Sequence, residues 1–218
     1  MERDTSRVEA FSDGVFAIAI TLLILELHVP RMNAGASNGN LSAALMGMWP
    51  SFVAFLMSFF VILMMWISHH GLLRLVQSFD YSFFFANGFL LLMVTFVPFP
   101  TAVLAEHLGS SASNAAAAFY CGTFCVVSIA FNLLFRTVAR NRRLVHDHVT
   151  DQVLARIHKA YRLGLPVYAV SVAVSLWNAP LGLAVCCSLW AVWIRLCYTE
   201  PTSATAPDRS PAQSVVHS

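Results

Sequence analysis

The sequence predicts an all-α integral membrane protein with six transmembrane helices per subunit. Hydrophobic residues make up 58% of the 218 positions and charged residues only 11%, whereas a soluble domain carries about 25% charge. The mean hydropathy is +0.68. A net charge of +2 is too small to suggest nucleic-acid binding, so we expect membrane lipid, and no nucleic acid, as a partner.

Six apolar stretches have about the 20 residues that a helix needs to cross a bilayer. They cover residues 8–28, 45–68, 82–105, 114–136, 162–177 and 179–198. The first ends at Pro30 and a polar loop of turn-forming residues. The third contains Pro98 and Pro100, which neighbouring helices can accommodate within a membrane. Asn178-Ala179-Pro180 joins the last two spans as a tight hairpin.

Basic residues set the predicted orientation. Seven of the thirteen Lys and Arg lie around the connection between the fourth and fifth spans: Arg136, Arg140, Arg142, Arg143, Arg156, Lys159 and Arg162. Positive residues stay cytoplasmic. We therefore expect a multi-pass protein of the cell membrane with both termini in the cytoplasm. We expect residues 1–198 to form one six-span domain with a cytoplasmic amphipathic linker helix at about 137–161. Residues 199–218 should form a disordered cytoplasmic tail.

Arg7, Ser12 and Asp13 lie at the start of the first span, where charge is costly unless it faces a bundle interior or a water-filled path. Ser12 or Asp13 could cap the helix, but a cap does not explain Arg7. A network with another span explains all of these residues. Trp66, His69 and His70 at the end of the second span are the candidate partners.

Metal or haem binding by the adjacent histidines is the alternative. Neighbouring residues on a helix point about 100° apart, and no Asp, Glu or Cys stands beside the pair in the second span. We therefore expect no metal site and no cofactor. The five cysteines all lie in apolar segments, and small buried side chains are the simpler interpretation of them.

One face of the first span carries Ile18, Leu22 and Leu25, with Thr21 beside it. Spacings of four and three residues put these side chains on one stripe. In a monomeric bundle this stripe is ordinary core or lipid-facing surface. In a symmetric oligomer it forms stacked apolar rings, which can gate ions by dewetting. No nucleophilic triad, phosphate loop or carbonyl-lined filter motif is visible, so we expect no enzymatic activity and no small-molecule substrate.

The segment Arg7–Gly14 has the pattern R-x-x-x-F-S-D-G, and it resembles the signature of the transmembrane-protein-175 family of potassium channels. Trp66–His70 resembles the W-x-x-H-H segment of that family's second span, and Asn87 followed by Phe96–Thr101 resembles its third. Single-repeat members of the family are homotetramers, so the resemblance implies a tetramer with the first span around a central pore.

The resemblance also implies roles for individual residues. Ile18, Leu22 and Leu25 would form the constriction, with Thr21 contributing to selectivity. The inter-helix network would comprise Arg7, Phe11, Ser12, Asp13, Trp66 and either His69 or His70. The function implied is a K⁺-preferring, leak-type cation channel without a cofactor. A proton-linked transporter or proton-conducting protein that uses Asp13 and His69 or His70 is the alternative, and an inert membrane scaffold is a third possibility.

Overall fold

A computed structural model describes the backbone of residues 2–31, 37–147 and 149–198, and the side chains of residues 6–31, 37–147 and 149–189. The proposed tail at 199–218 lies outside the described residues. The described residues form eight α-helices: α1 Glu2–Leu22, α2 Asn38–Gly47, α3 Trp49–Leu73, α4 Tyr81–Phe96, α5 Pro98–His107, α6 Ser113–Arg140, α7 Asp151–Trp177 and α8 Ala179–Tyr198. Short 3₁₀ turns occupy Leu23–Glu26 and Arg142–Leu144.

The predicted all-α membrane fold is confirmed. Within the described part of the chain, five helical stretches are long and apolar enough to cross a membrane, namely Ser6–Glu26, Trp49–Leu73, Tyr81–His107, Ser113–Arg140 and Asp151–Trp177. The sixth predicted span coincides with α8, whose part Ala179–Leu189 is a shorter apolar helix. Where the backbone is described, β pairing is limited to one isolated bridge.

The helix α6 is the centre of the bundle. It packs against α4, α5, α7 and α8, while α1 packs against α3 and α4. Fully buried aromatic side chains such as Phe16, Phe83, Tyr120 and Phe124 fill the space between the helices. The helices α7 and α8 therefore pack beside α6, and α1 is joined to the bundle through α3 and α4.

The third predicted span is two helices, α4 and α5, which meet at Val97. Pro98 and Pro100 lack backbone N–H groups, so the regular pattern of helical hydrogen bonds cannot continue through this point. The Val97 N–H instead bonds to the Val94 carbonyl at 3.2 Å. The Val97 carbonyl accepts from the backbone N–H of Thr101 at 3.2 Å and also from the Thr101 hydroxyl at 2.8 Å.

The predicted linker helix at 137–161 is wrong as a separate element. α6 ends at Arg140, a 3₁₀ turn follows, and α7 then runs without interruption from Asp151 to Trp177. The fifth span therefore starts earlier than the predicted residue 162, and Pro166 lies inside its helix. Prolines are tolerated inside membrane helices when neighbours compensate the lost bond, so Pro166 does not mark a helix start here.

The connection between α6 and α7 is fastened to the connection between α3 and α4. Gln77 N–H donates to the Leu144 carbonyl at 2.8 Å, and His146 N–H donates to the Leu75 carbonyl at 3.1 Å. Arg142 pairs with Asp151 at 3.1 Å and donates to the Val149 carbonyl at 3.0 Å. These bonds close the end of the bundle that carries most of the basic residues.

Candidate functional site

The two faces of α1 have different surroundings. Ser12, Phe16 and Ala19 are buried, as is Leu23 in the 3₁₀ turn that follows α1. Another face carries the predicted stripe, whose apolar side chains are exposed: Ile18 59%, Leu22 41% and Leu25 67%. Phe11, which lies on the same face two turns before Ile18, is 68% exposed. The α1 helix therefore binds its own subunit through one face and leaves a continuous apolar face without a partner in that subunit.

A chain of buried polar side chains joins α1, α4 and α3. The ring nitrogen Nε2 of His69 lies 2.7 Å from Oδ1 of Asn87, and because an amide oxygen accepts, the histidine donates. Nδ2 of Asn87 in turn donates to Oγ of Ser12 at 3.2 Å. Ser12 and His69 are fully buried and Asn87 nearly so. The bond from Asn87 to Ser12 fixes the rotation of α1, because turning the helix would break it and leave the buried hydroxyl of Ser12 and the buried Nδ2 of Asn87 without that partner.

Asp13 and Glu9 make two further contacts with α3. Nε1 of Trp66 donates to Oδ1 of Asp13 at 2.8 Å. Nδ1 of His70 lies 3.1 Å from Oε1 of Glu9, at a partly exposed position. The rings of Trp66 and His70 stack with centroids 5.8 Å apart, which is the contact expected one turn apart on a helix.

The structure gives each histidine its own partner, a choice that the sequence left open. His69 belongs to the buried chain with Asn87, and His70 belongs to the pair with Glu9. Sequence reasoning did not place Asn87 or Glu9 at the site. An amide within the apolar run of the third span and a carboxylate four residues before Asp13 were the signals available for them.

Arg7 does not pair with Asp13 within the subunit. Its side chain is exposed, and no ion pair or hydrogen bond joins it to any residue whose side chain is described. Arg7 and Phe11 instead continue the exposed stripe of α1 toward its N-terminus. Their part in an inter-helix network stays a prediction.

Thr21 lies at the edge of the stripe. Its hydroxyl donates to the Ile18 carbonyl at 2.9 Å, so the oxygen keeps its lone pairs for an outside partner. The helix tightens into a 3₁₀ turn from Leu23 to Glu26.

A second polar group lies elsewhere in the bundle, at Ser58, Thr101 and Tyr120. Oγ of Ser58 lies 2.6 Å from Oγ1 of Thr101 and 3.1 Å from the Tyr120 hydroxyl. Thr101 donates to the Val97 carbonyl, so Ser58 donates to Thr101 and Tyr120 donates to Ser58. This group joins α3, α5 and α6 and is structural.

Comparison with known proteins gives a consistent set of relatives. Residues 7–98 match a family model described as the endosomal/lysosomal potassium channel TMEM175. A potassium channel of Chamaesiphon minutus is 45% identical over 185 residues, covering 85% of this chain and 91% of the relative. The crystal structure of a lysosomal potassium-selective channel TMEM175 homolog from the same organism superposes with a TM-score of 0.80 at 42% identity, covering 89% of this chain and 98% of the other.

A human relative has a different description. The endosomal/lysosomal proton channel TMEM175 of Homo sapiens is 42% identical over 77 residues, which is 33% of this chain and 15% of the human protein. The similarity to potassium channels thus extends over nearly the whole chain, whereas the similarity to the human protein is confined to a third of it.

Proposed function

This chain belongs to the TMEM175 family of potassium channels, whose members are ion channels rather than enzymes, and we propose that its own α1 lines a K⁺-preferring, leak-type pore. The observation that carries the proposal is the division of α1 into two faces. One face is held to α3 and α4 by buried polar bonds, and the other presents Ile18, Leu22 and Leu25 outward.

The assembly that fits this helix is a homotetramer. A four-fold axis beside the exposed face of α1 would bring four copies of the stripe together and form rings of apolar side chains. Homo-oligomers usually have closed point-group symmetry, and a four-fold ring is one such assembly. The remaining exposed apolar surface of the bundle, for example Phe85 on α4, would face membrane lipid.

The proposed pore selects ions through width and partial dehydration. Apolar rings offer no oxygen to replace an ion's hydration shell, so a narrow constriction is a dewetting barrier. The Thr21 oxygen at the edge of the stripe could bind a partly dehydrated ion near Ile18. The permeant ion is K⁺, and the proposal involves no cofactor and no organic substrate.

We place the protein in the cell membrane with both termini in the cytoplasm. The basic connection between α6 and α7 supports this orientation under the positive-inside rule. Six membrane crossings return the chain to the side on which it starts.

Recording from purified protein in planar bilayers tests the proposed function. With a K⁺ gradient and Na⁺ on the opposite side, single-channel currents should reverse near the K⁺ equilibrium potential. Reversal near the Na⁺ equilibrium potential, or slow saturable flux without unitary currents, would contradict a K⁺-preferring pore.

Proton conduction is the second candidate, and the polar contacts of Asp13, His69 and His70 favour it. The description of the human relative as a proton channel adds to its interest. A pH gradient at symmetric K⁺ separates the two functions. A K⁺ channel then passes no net current at zero voltage, whereas a proton-conducting protein shifts its reversal potential with the gradient.

A further inference from the structure

Three possible metal ligands converge where α1 meets α3. One ligand atom each of Glu9, Asp13 and His70 lies within 4.8 Å of the other two. Glu9 and Asp13 are four residues apart on α1, so their carboxylates project from the same side of the helix. His70 comes from α3. The sequence did not indicate this group, because the ligands beside His70 are supplied by another helix.

The imidazole of His70 has a nitrogen that the protein leaves without a hydrogen bond. Nδ1 is itself buried, although the side chain is 37% exposed, and it has no hydrogen-bond partner. The Glu9 carboxylate lies 3.1 Å away, but the two groups are not aligned for a hydrogen bond. A ring nitrogen without a hydrogen bond beside two carboxylates is an arrangement that a bound cation would complete.

Trp66 holds the side chains of His70 and Asp13 in place. Its indole stacks on the His70 ring and donates to Oδ1 of Asp13, which leaves the second carboxylate oxygen available. Fixing ligands through neighbouring hydrogen bonds is typical of metal sites. The partial exposure of Glu9 and His70 leaves room for water molecules to fill the remaining coordination positions.

We propose that Glu9, Asp13 and His70 bind one divalent transition-metal ion per subunit, of the class that accepts imidazole nitrogen together with carboxylate oxygen, such as Zn²⁺. One nitrogen and two oxygen ligands suit this class better than Mg²⁺ or Ca²⁺, which take oxygen ligands. The bound ion would fasten the N-terminal part of α1 to the end of α3. The proposal does not depend on which ion the protein conducts.

Zinc binding to the full chain, purified without a histidine tag, tests the proposal. Equilibrium dialysis against ZnCl₂ should give one zinc per subunit that the variants Glu9→Gln and His70→Gln lose. Trp66→Phe, which leaves the three ligands in place, should weaken binding by roughly 10- to 100-fold. The matched control is His28→Gln, since His28 is an exposed histidine close to Glu26 beyond the far end of α1. This control should bind zinc like the parent.

Two results would overturn the proposal. The first is parent-like zinc binding by His70→Gln or a loss of binding in His28→Gln. The second comes from zinc X-ray absorption of the parent protein, which needs no variant to fold. We expect nitrogen and oxygen ligands with a single imidazole; sulfur ligation or several imidazoles would assign the zinc to another site, and no bound zinc would make Glu9 and His70 an ordinary ion pair.

Discussion

The Trp66 indole and the Asp13 carboxylate meet at 2.8 Å, and this hydrogen bond ties the end of α3 to the start of α1. Asp13 lies one residue from Ser12, which is held by Asn87 of α4. Two consecutive residues of α1 are thus bonded to two different helices. These two bonds fix the rotation of α1 and its position along the helix axis. They therefore also fix the direction in which the exposed stripe points.

Asp13→Ala should destabilise the protein by about 1.5–3 kcal/mol, the usual contribution of a hydrogen bond to a charged group. The loss is smaller than for a buried ion pair because Arg7 is not the partner of Asp13. Unfolding in detergent with a chelator present measures it. A double-mutant cycle with Trp66→Phe should show coupling between the two residues, and strictly additive effects would mean that the bond contributes nothing.

Asn87→Ala should lower the free energy of unfolding more than the same substitution at the protein surface. It leaves Ser12 and His69 buried without their partner, at about 1–3 kcal/mol for each unpaired group. Asn40→Ala, at an exposed position of α2, is the matched control. The thermal stability of the two variants in detergent checks this expectation, and equal melting temperatures would contradict a structural role for the buried chain.

Ile18→Asn should wet the proposed constriction, raise unitary conductance and reduce discrimination between K⁺ and Na⁺. Val170→Asn is the control, since Val170 is a β-branched residue of similar exposure on α7, which packs on α6 and α8. Parent-like reversal potential and current in the Ile18 variant would contradict a limiting role for Ile18 in conduction.

Gly182→Ala should separate or distort the hairpin of α7 and α8. A Cβ at Gly182 would collide with the Ser175 side chain and lie 2.6 Å from its Cα, and overpacking of this kind typically costs about 1–3 kcal/mol. The control is Gly122→Ala on α6, where the nearest atom is 4.0 Å away. Yield and thermal stability distinguish the two, and an undisturbed Gly182 variant would show that the hairpin can open at that point.

Cysteine labelling should place the two ends of the bundle on opposite sides of the membrane. In a background without the native cysteines, Asn38→Cys should react with an impermeant maleimide in intact cells. Arg140→Cys and Arg7→Cys should react only after permeabilisation. Labelling of position 140 from outside would reverse the orientation and remove the support from the positive-inside argument.

Composition and periodicity were sufficient to predict the all-α membrane class and to place Ile18, Leu22 and Leu25 on one face of the first span, because both follow from local patterns of apolar residues. The division of the third span at Val97 was not predicted, although Pro98 and Pro100 were its visible cause, since proline inside a membrane helix does not always break it. The predicted fifth span began too late, at residue 162, because proline usually occupies the first turn of a helix rather than its interior, whereas Pro166 lies inside α7.

The partners within the site depend on contacts between distant parts of the chain. The pattern around Ser12 and Asp13 indicated a polar network, and Trp66 with the two histidines indicated the second helix. Nothing local shows that Asn87 reaches both Ser12 and His69, or that Glu9 approaches His70. Those relationships arise from the rotation of three helices about their own axes.

The 3₁₀ turn at Leu23–Glu26 would give the proposed constriction two equivalent apolar rings. With three residues per turn and a rise of about 2.0 Å, side chains three residues apart eclipse one another and lie about 6 Å apart along the axis. Leu22 and Leu25 would then form two barriers in series at the same radius. Opening one of them alone would leave the other in the path, so tolerance to single substitutions there is compatible with an essential role for both.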